Sequence, residues 1–317
     1  MRMKKTAILF PGQGSQYVGM GQAFVERDPD AAALMELAER ISGFPLRTLC
    51  FQGPLDNLTR VLYLQPALTA VNLICLQQLR KALPGFTPAF FAGHSLGEYS
   101  ALHGAGVLTL EDTLALVTKR GQLMEREGVA HPGGMRAVVG LNIGQVEAIL
   151  ADFTGPGVAV VANHNTVLQI VLSGDAAGLA AVGTACAANG GKVIPLNVSV
   201  ANHSPLVAGA VDDFTAFMAD VAFRPPEAPI LFNVTGREER EPERMKEIMA
   251  RQIASRVRWL SIVERMIAAG VELIVELGPK SVLTGMVRKI VPPDSGIRYA
   301  QADTPESLAK VAEMAAE

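Results

Sequence analysis

The sequence predicts an α/β fold: a core of parallel strands alternating with helices, interrupted by a small α/β unit with a rhythm of its own. Short apolar runs at residues 5–10, 88–92, 230–234 and 273–277 are separated by longer segments of helical periodicity. The first two runs each lead into a glycine-containing turn, Pro11-Gly-Gln-Gly14 and Gly93-His-Ser-Leu-Gly97. Between 133 and 197 the order is strand, helix, strand, strand, helix, strand, the split pattern of a ferredoxin-like unit.

Taken in order, residues 5–10 alternate little between polar and apolar, which suits a strand covered on both faces. Residues 31–41 and 66–83 repeat their apolar positions every three or four residues. In the second of these, Leu68, Val71, Leu73, Leu76 and Leu79 form a broad apolar face, and Pro84-Gly85 ends the helix. The strand at 88–92, the turn and a helix at 99–104 make a strand, sharp turn, helix unit. Pro132-Gly133-Gly134 is the hinge into the insertion, whose strands fall at 135–141, 158–162, 168–172 and 192–196 and whose helices fall at 143–153 and 176–188. Residues 198–200 are strand-like, and a helical stretch at 242–269 separates the last two core strands. The expected organisation is a core made of 1–132 and 198–317 with an insertion at 133–197. No repeat or low-complexity segment interrupts it.

Composition narrows the function. With 317 residues, 49% of them hydrophobic and 19% charged, the chain is that of a globular enzyme with a sizeable core. A formal net charge of -3 gives no field suited to a nucleic-acid backbone or an anionic membrane, so neither partner is expected. The apolar stretch from Ala7 stops at Pro11, too short for a secretory leader or a bilayer span, and a cytoplasmic protein is expected. Cys50, Cys75 and Cys186 form no CxxC pair and no zinc-ligand spacing, which predicts buried thiols and no metal site.

Gly93-His94-Ser95-Leu96-Gly97 matches G-x-S-x-G, the nucleophile elbow, in which a tight turn between strand and helix exposes the serine hydroxyl. A serine hydroxyl needs a base, and the chain has five histidines. His94 adjoins the serine but points elsewhere on an elbow. His103 lies in the following helix, His131 in the hinge and His164 in an Asn-His-Asn turn. His203, in the polar loop Ala201-Asn-His-Ser-Pro205, lies downstream as α/β-hydrolase order requires, although spacing alone leaves the choice open.

Five longer phrases bear on that choice: Phe10-Pro-Gly-Gln-Gly-Ser-Gln16, Gly93-His-Ser-Leu-Gly-Glu-Tyr-Ser-Ala-Leu102, Lys119-Arg-Gly-Gln-Leu-Met124, Asn197-Val-Ser-Val-Ala-Asn-His203 and Glu276-Leu-Gly-Pro-Lys-Ser-Val-Leu-Thr-Gly285. In order and spacing, across nearly the whole chain, they resemble the malonyl-CoA:acyl carrier protein transacylase family. The resemblance implies an α/β-hydrolase-like core, a ferredoxin-like insertion and ping-pong transfer of malonyl from malonyl-CoA to an acyl carrier protein, with no cofactor, in fatty acid or polyketide synthesis. It implies Ser95 as nucleophile, His203 as base, the backbone N–H groups of Gln13 and Leu96 as oxyanion donors, and the Gln252 carbonyl as the group that orients the imidazole. Arg120 matches the arginine that pairs with the malonyl carboxylate, Met124 lies one turn on, and Asn163 matches a pocket-side asparagine. A basic rim for the carrier is expected at Lys280, Arg288 and Lys289. The alternative reading is an acyl hydrolase or a transacylase for another acyl unit. A dinucleotide turn at Gly12-Gln-Gly14 is excluded because Gly19 falls too far along. The chain departs from the family's usual wording at Arg136 and at Asn165-Thr-Val167.

Overall fold

The computed structural model describes residues 3–316. In chain order its strands are β1 (Thr6–Phe10), β2 (Phe90–Gly93), β3 (Gly134–Val139), β4 (Ala159–Thr166), β5 (Gln169–Gly174), β6 (Lys192–Pro195), β7 (Ile230–Leu231), β8 (Leu273–Leu277) and β9 (Arg298–Ala302). They form two sheets.

The core sheet has the order β7-β2-β1-β8-β9 and every pairing in it is parallel. All five residues of β1 are buried because helices cover both faces. Ile8 and Phe10 belong to the large cluster built on the Val61–Ala82 helix, and Ala7 and Leu9 to a second cluster around Trp259 and Ile262. Fully burying an Ile, Leu or Phe side chain stabilises by about 1.5–3 kcal/mol, so this central strand anchors both layers. Parallel strands place their C-terminal ends on one edge. There the loop after β1, the elbow after β2 and the turn after β7 converge.

The second sheet has the order β4-β5-β3-β6 with antiparallel pairings, and the helices Ile143–Ala151 and Ala176–Ala188 pack against it around Val138, Val146, Ile170, Leu172 and Val182. This is the ferredoxin-like arrangement that the βαββαβ order predicts. All three cysteines are buried and unpaired. Among the described residues, no helix is long and apolar enough to cross a membrane and no cluster of side chains could hold a metal ion.

Several expected elements differ. The helix expected from Pro66 begins at Val61, because Val61 and Leu64 pack into the main cluster and outweigh the donor that Pro66 lacks. His164 lies in β4, not in a turn, since that strand runs on to Thr166 through two register shifts. Residues 198–200 form no strand, and β7 ends at Leu231. The stretch at 242–269 is two helices, Pro242–Gln252 and Trp259–Ala268. No glycine or proline breaks it. Backbone groups of the break pair elsewhere instead: Val257 bonds with Ala162 and His164 of β4, and the Arg258 N–H donates to the Asn233 carbonyl. Three short helices, Gln22–Val25, Leu46–Gln52 and Leu55–Thr59, together with β9, carried no periodicity strong enough to be expected.

Candidate active site

Ser95 sits at the turn between β2 and the helix Gly97–Gly104 in a left-handed conformation, φ 52°. Such a turn forces strand and helix together, and the two motif glycines permit it. A Cβ on Gly93 would overlap the Gly97 carbonyl, and one on Gly97 would overlap the Phe10 carbonyl. The turn is then fixed by Asn233, whose Oδ1 accepts the Ser95 N–H at 2.7 Å while its Nδ2 donates to the Gly93 carbonyl at 2.7 Å.

The Ser95 hydroxyl lies 2.7 Å from Nε2 of His203. His203 is also left-handed, φ 60°, and its N–H donates to the Ile253 carbonyl at 3.0 Å. Its Nδ1 faces two carbonyls, Gln252 at 3.1 Å and Ser255 at 2.9 Å. Carbonyls only accept, so Nδ1 carries the proton and Nε2 presents a lone pair to the serine. One carbonyl ends the helix Pro242–Gln252 and the other lies in the break that follows, so the irregularity brings both to the imidazole. The imidazole is 3% exposed, and burial, with the Arg120 charge adding to it, holds its pKa down at about 3.

Arg120, on the helix Leu110–Ala130, is 1% exposed. It donates to Gln65 Oε1 at 2.8 Å, to Ser95 Oγ at 3.2 Å and to Gln252 Oε1 at 3.2 Å, and its Nε has no partner. None of these partners is a carboxylate. A buried guanidinium served only by neutral groups is a site for an anion, and burial lowers its pKa for the same reason. Gln65 is itself held by Met124, whose sulfur lies 2.9 Å from Nε2.

These groups open on a cleft of about 80 Å³ lined by Gln13, Leu96, Met124, Asn163 and Asn202 among others. The N–H groups of Gln13 and Leu96 make no hydrogen bond among the described residues, and both residues face the serine's cleft. They are therefore free to receive an oxyanion. Asn163 Oδ1 and Asn202 Oδ1 are likewise unpaired.

The comparisons with known proteins fall on this geometry. The sequence pattern of the acyl transferase domain family matches residues 8–302. The malonyl CoA-acyl carrier protein transacylase of Bacillus subtilis (strain 168) is 37% identical over 290 residues, 91% of each chain. The polyketide biosynthesis protein ThaF of Burkholderia thailandensis is 41% identical over 297 residues, which is 93% of this chain but only 25% of that protein. The crystal structure of an acyl carrier protein S-malonyltransferase from Vibrio cholerae superposes with a TM-score of 0.91 at 36% identity, over 97% of this chain and 99% of that one. The chain belongs to the malonyl CoA-acyl carrier protein transacylase family.

In this transacylase chain a larger cleft of about 360 Å³ continues between the two sheets and shares Gln13, His94, Asn163, Leu196 and Val198 with the first. The departures from family wording lie at its edge and beyond. Asn165 Oδ1 is 2.9 Å from His94 Nε2, Val167 is 53% exposed at the tip of the β4–β5 hairpin, and Arg136 lies against Gly183 on the helix side of the small sheet. Lys280, Arg288 and Lys289 are exposed, and none of them lines either cleft. Sequence reasoning missed Asn233, Gln65, Ser255 and the side chain of Gln252. Only Glu98, within the Gly93–Leu102 phrase, carried a signal, as a charged residue in an otherwise small and apolar helix start.

Proposed function

We propose that the protein transfers a malonyl group from malonyl-CoA to the phosphopantetheine thiol of an acyl carrier protein through a malonyl-Ser95 intermediate. The observation that carries this reading is the buried Arg120 guanidinium, without a carboxylate partner, 3.2 Å from the Ser95 hydroxyl. An acyl group with a terminal carboxylate supplies the missing anion. A plain acyl group leaves the cation unpaired.

In the first half-reaction His203 Nε2 takes the Ser95 proton as Oγ attacks the thioester carbonyl. Gln13 and Leu96 N–H groups receive the oxyanion, the C–S bond breaks, and His203 returns the proton to the departing thiol. The second half-reaction runs these steps backwards from the carrier thiol, which needs the first thiol gone and gives ping-pong kinetics. The relatives' names support malonyl-CoA and carrier protein as the substrates, and the ThaF relative's name supports a place in polyketide synthesis beside the fatty acid role that the sequence suggests. We also place the protein in the cytoplasm, on its charge balance, and treat 133–197 as a unit inserted into the core.

Intact-protein mass spectrometry after incubation with malonyl-CoA tests the reading. One malonyl unit is expected on the native protein and none on Ser95→Ala. Label that persists in the variant, or acetyl-CoA loading as readily as malonyl-CoA, counts against it. Steady release of free malonate in place of malonyl-carrier product marks a hydrolase.

A further inference from the structure

Glu98 lies three residues after the nucleophile, is 0% exposed and touches no cation among the described residues. Its Oε1 accepts the Asn233 N–H at 2.7 Å and its Oε2 accepts Gln252 Nε2 at 2.7 Å. The same Nε2 donates its other hydrogen to the Ser95 carbonyl at 2.8 Å. With both amide hydrogens so engaged, Gln252 Oε1 faces the opposite way, toward Arg120. Turning the amide over would set two acceptors against its oxygen at one end and a donor against its NH₂ at the other. The orientation of Gln252 is therefore dictated by acceptors at Glu98 and at the Ser95 carbonyl on one side and a donor-only group at 120 on the other.

We infer that Glu98 is a positioning residue: its buried carboxylate, acting through the Gln252 amide, holds the Arg120 guanidinium beside Ser95 and so sets the preference for acyl groups that end in a carboxylate. This rests on the malonyl reading above. The carboxylate is retained at a cost. Burial pushes its pKa up to about 8, against the pull of Gln252, Asn233 and the Arg120 charge. A group that served only to fill space would be better neutral. An acceptor at both oxygens is what the relay requires, and the ionised form supplies it without setting an O–H donor against either partner.

Glu98→Gln tests this with little change in volume. The Asn233 N–H cannot rotate and keeps the oxygen of the new amide, so its NH₂ meets Gln252, which must turn and present a donor to Arg120. The readout is the ratio of kcat/KM for malonyl-CoA to that for acetyl-CoA, measured above pH about 8, where Glu98 is ionised. Damage to the elbow lowers both substrates together and leaves the ratio alone. Misplacing Arg120 lowers malonyl alone, by about 10- to 100-fold for one buried polar group set against its own kind.

The same change made on an Arg120→Ala background is expected to move the ratio by less than about 2-fold, because the residue through which Glu98 acts is gone. An unchanged ratio in Glu98→Gln, or an equal shift on both backgrounds, overturns the inference. If Arg120→Ala by itself leaves the ratio untouched, it is the malonyl reading that fails. Should Glu98→Gln not fold, Gln252→Ala cuts the same relay from the other side, and an unchanged ratio there overturns the inference equally.

Discussion

A histidine that takes a proton from serine works only while neutral, and the surroundings of His203 keep it so. Burial is the larger cause, the Arg120 cation the next, and together they hold its pKa near 3, against an ordinary value of 6.5. Acylation measured as kcat/KM for malonyl-CoA is therefore expected to stay flat as pH falls from 8 through 6.5, where an unperturbed imidazole would lose half its activity. Pre-steady-state acylation across that range checks it, and an inflection near 6.5 would show an ordinary histidine. The same shift has a stability consequence of definite sign. Between pH 6.5 and about 3 the unfolded chain binds a proton that the folded chain refuses, so this group's contribution to stability falls as pH falls through that window. At this scale the sequence pointed to the serine and the histidine that the structure sets 2.7 Å apart, since their phrases are long and specific. It was silent about Asn233 and Ser255. Each acts through an amide or a carbonyl brought in from a distant loop, and neither group has a spacing rule to betray it.

At the scale of elements the irregular pieces matter more than the regular ones. The apolar patterns at 5–10, 176–188 and 273–277 mark elements that fold much as their periodicity dictates, because packing is their only constraint. The break between Gln252 and Trp259 has no local cause in glycine or proline. It exists because carbonyls of that segment serve His203 and its Val257 pairs with β4, a tertiary demand that overrides helical propensity. A second device of this kind is Glu276, the fourth residue of β8, whose Oε1 accepts the Leu283 N–H at 3.0 Å and whose Oε2 accepts the Thr284 N–H at 2.7 Å and its hydroxyl at 2.8 Å. A buried strand carboxylate thus caps the helix Val282–Ile290, which has no side-chain cap of its own. Burial raises the Glu276 pKa to about 7. The folded state accordingly keeps a proton that the unfolded chain gives up near pH 4.5, and the associated stability is full below that value and lost as pH rises through about 7. Glu276→Ala leaves two buried N–H groups without an acceptor and is expected to lower the unfolding free energy by about 2–4 kcal/mol. Urea titration checks this: the midpoint should drop with an unchanged slope, and a loss below about 0.5 kcal/mol would mean that water replaces the cap.

For the whole molecule, Ser95 lies where the two sheets meet, and residues from both sides line its cleft. The elbow at the C-terminal edge of the parallel sheet supplies Ser95, the loop that follows β6 supplies His203, and the helix Leu110–Ala130 supplies Arg120. Residues of the small sheet and its flanks, Met135, Asn163, Leu196 and Val198, close the cleft from above. The βαββαβ order made that second sheet visible in the sequence. How it seats on the first was not visible, because seating depends on a few polar contacts with no periodicity. Two are on this side of the molecule: the backbone pairing of Val257 with β4, and the bond from His94 Nε2–H to Asn165 Oδ1 at 2.9 Å. His94 is further held against the buried Trp259, ring centroids 5.3 Å apart. Asn165 thus pins the roof to the residue next to Ser95, at the start of the Asn165-Thr-Val167 segment. A transferase that works through an acyl-serine must keep water from it until the carrier thiol arrives. Asn165→Ala removes the pin and leaves the His94 donor unserved, which costs about 1–3 kcal/mol and favours the open cleft by roughly 5- to 150-fold. Loading of Ser95 from malonyl-CoA should change little, since none of its reacting groups is touched. Hydrolysis of the malonyl-enzyme in the absence of carrier protein should rise several-fold at least. The measurement is the half-life of the malonyl adduct by mass spectrometry after excess donor is removed. An adduct as long-lived in Asn165→Ala as in the native protein would show that the roof is held by the Val257 pairing alone.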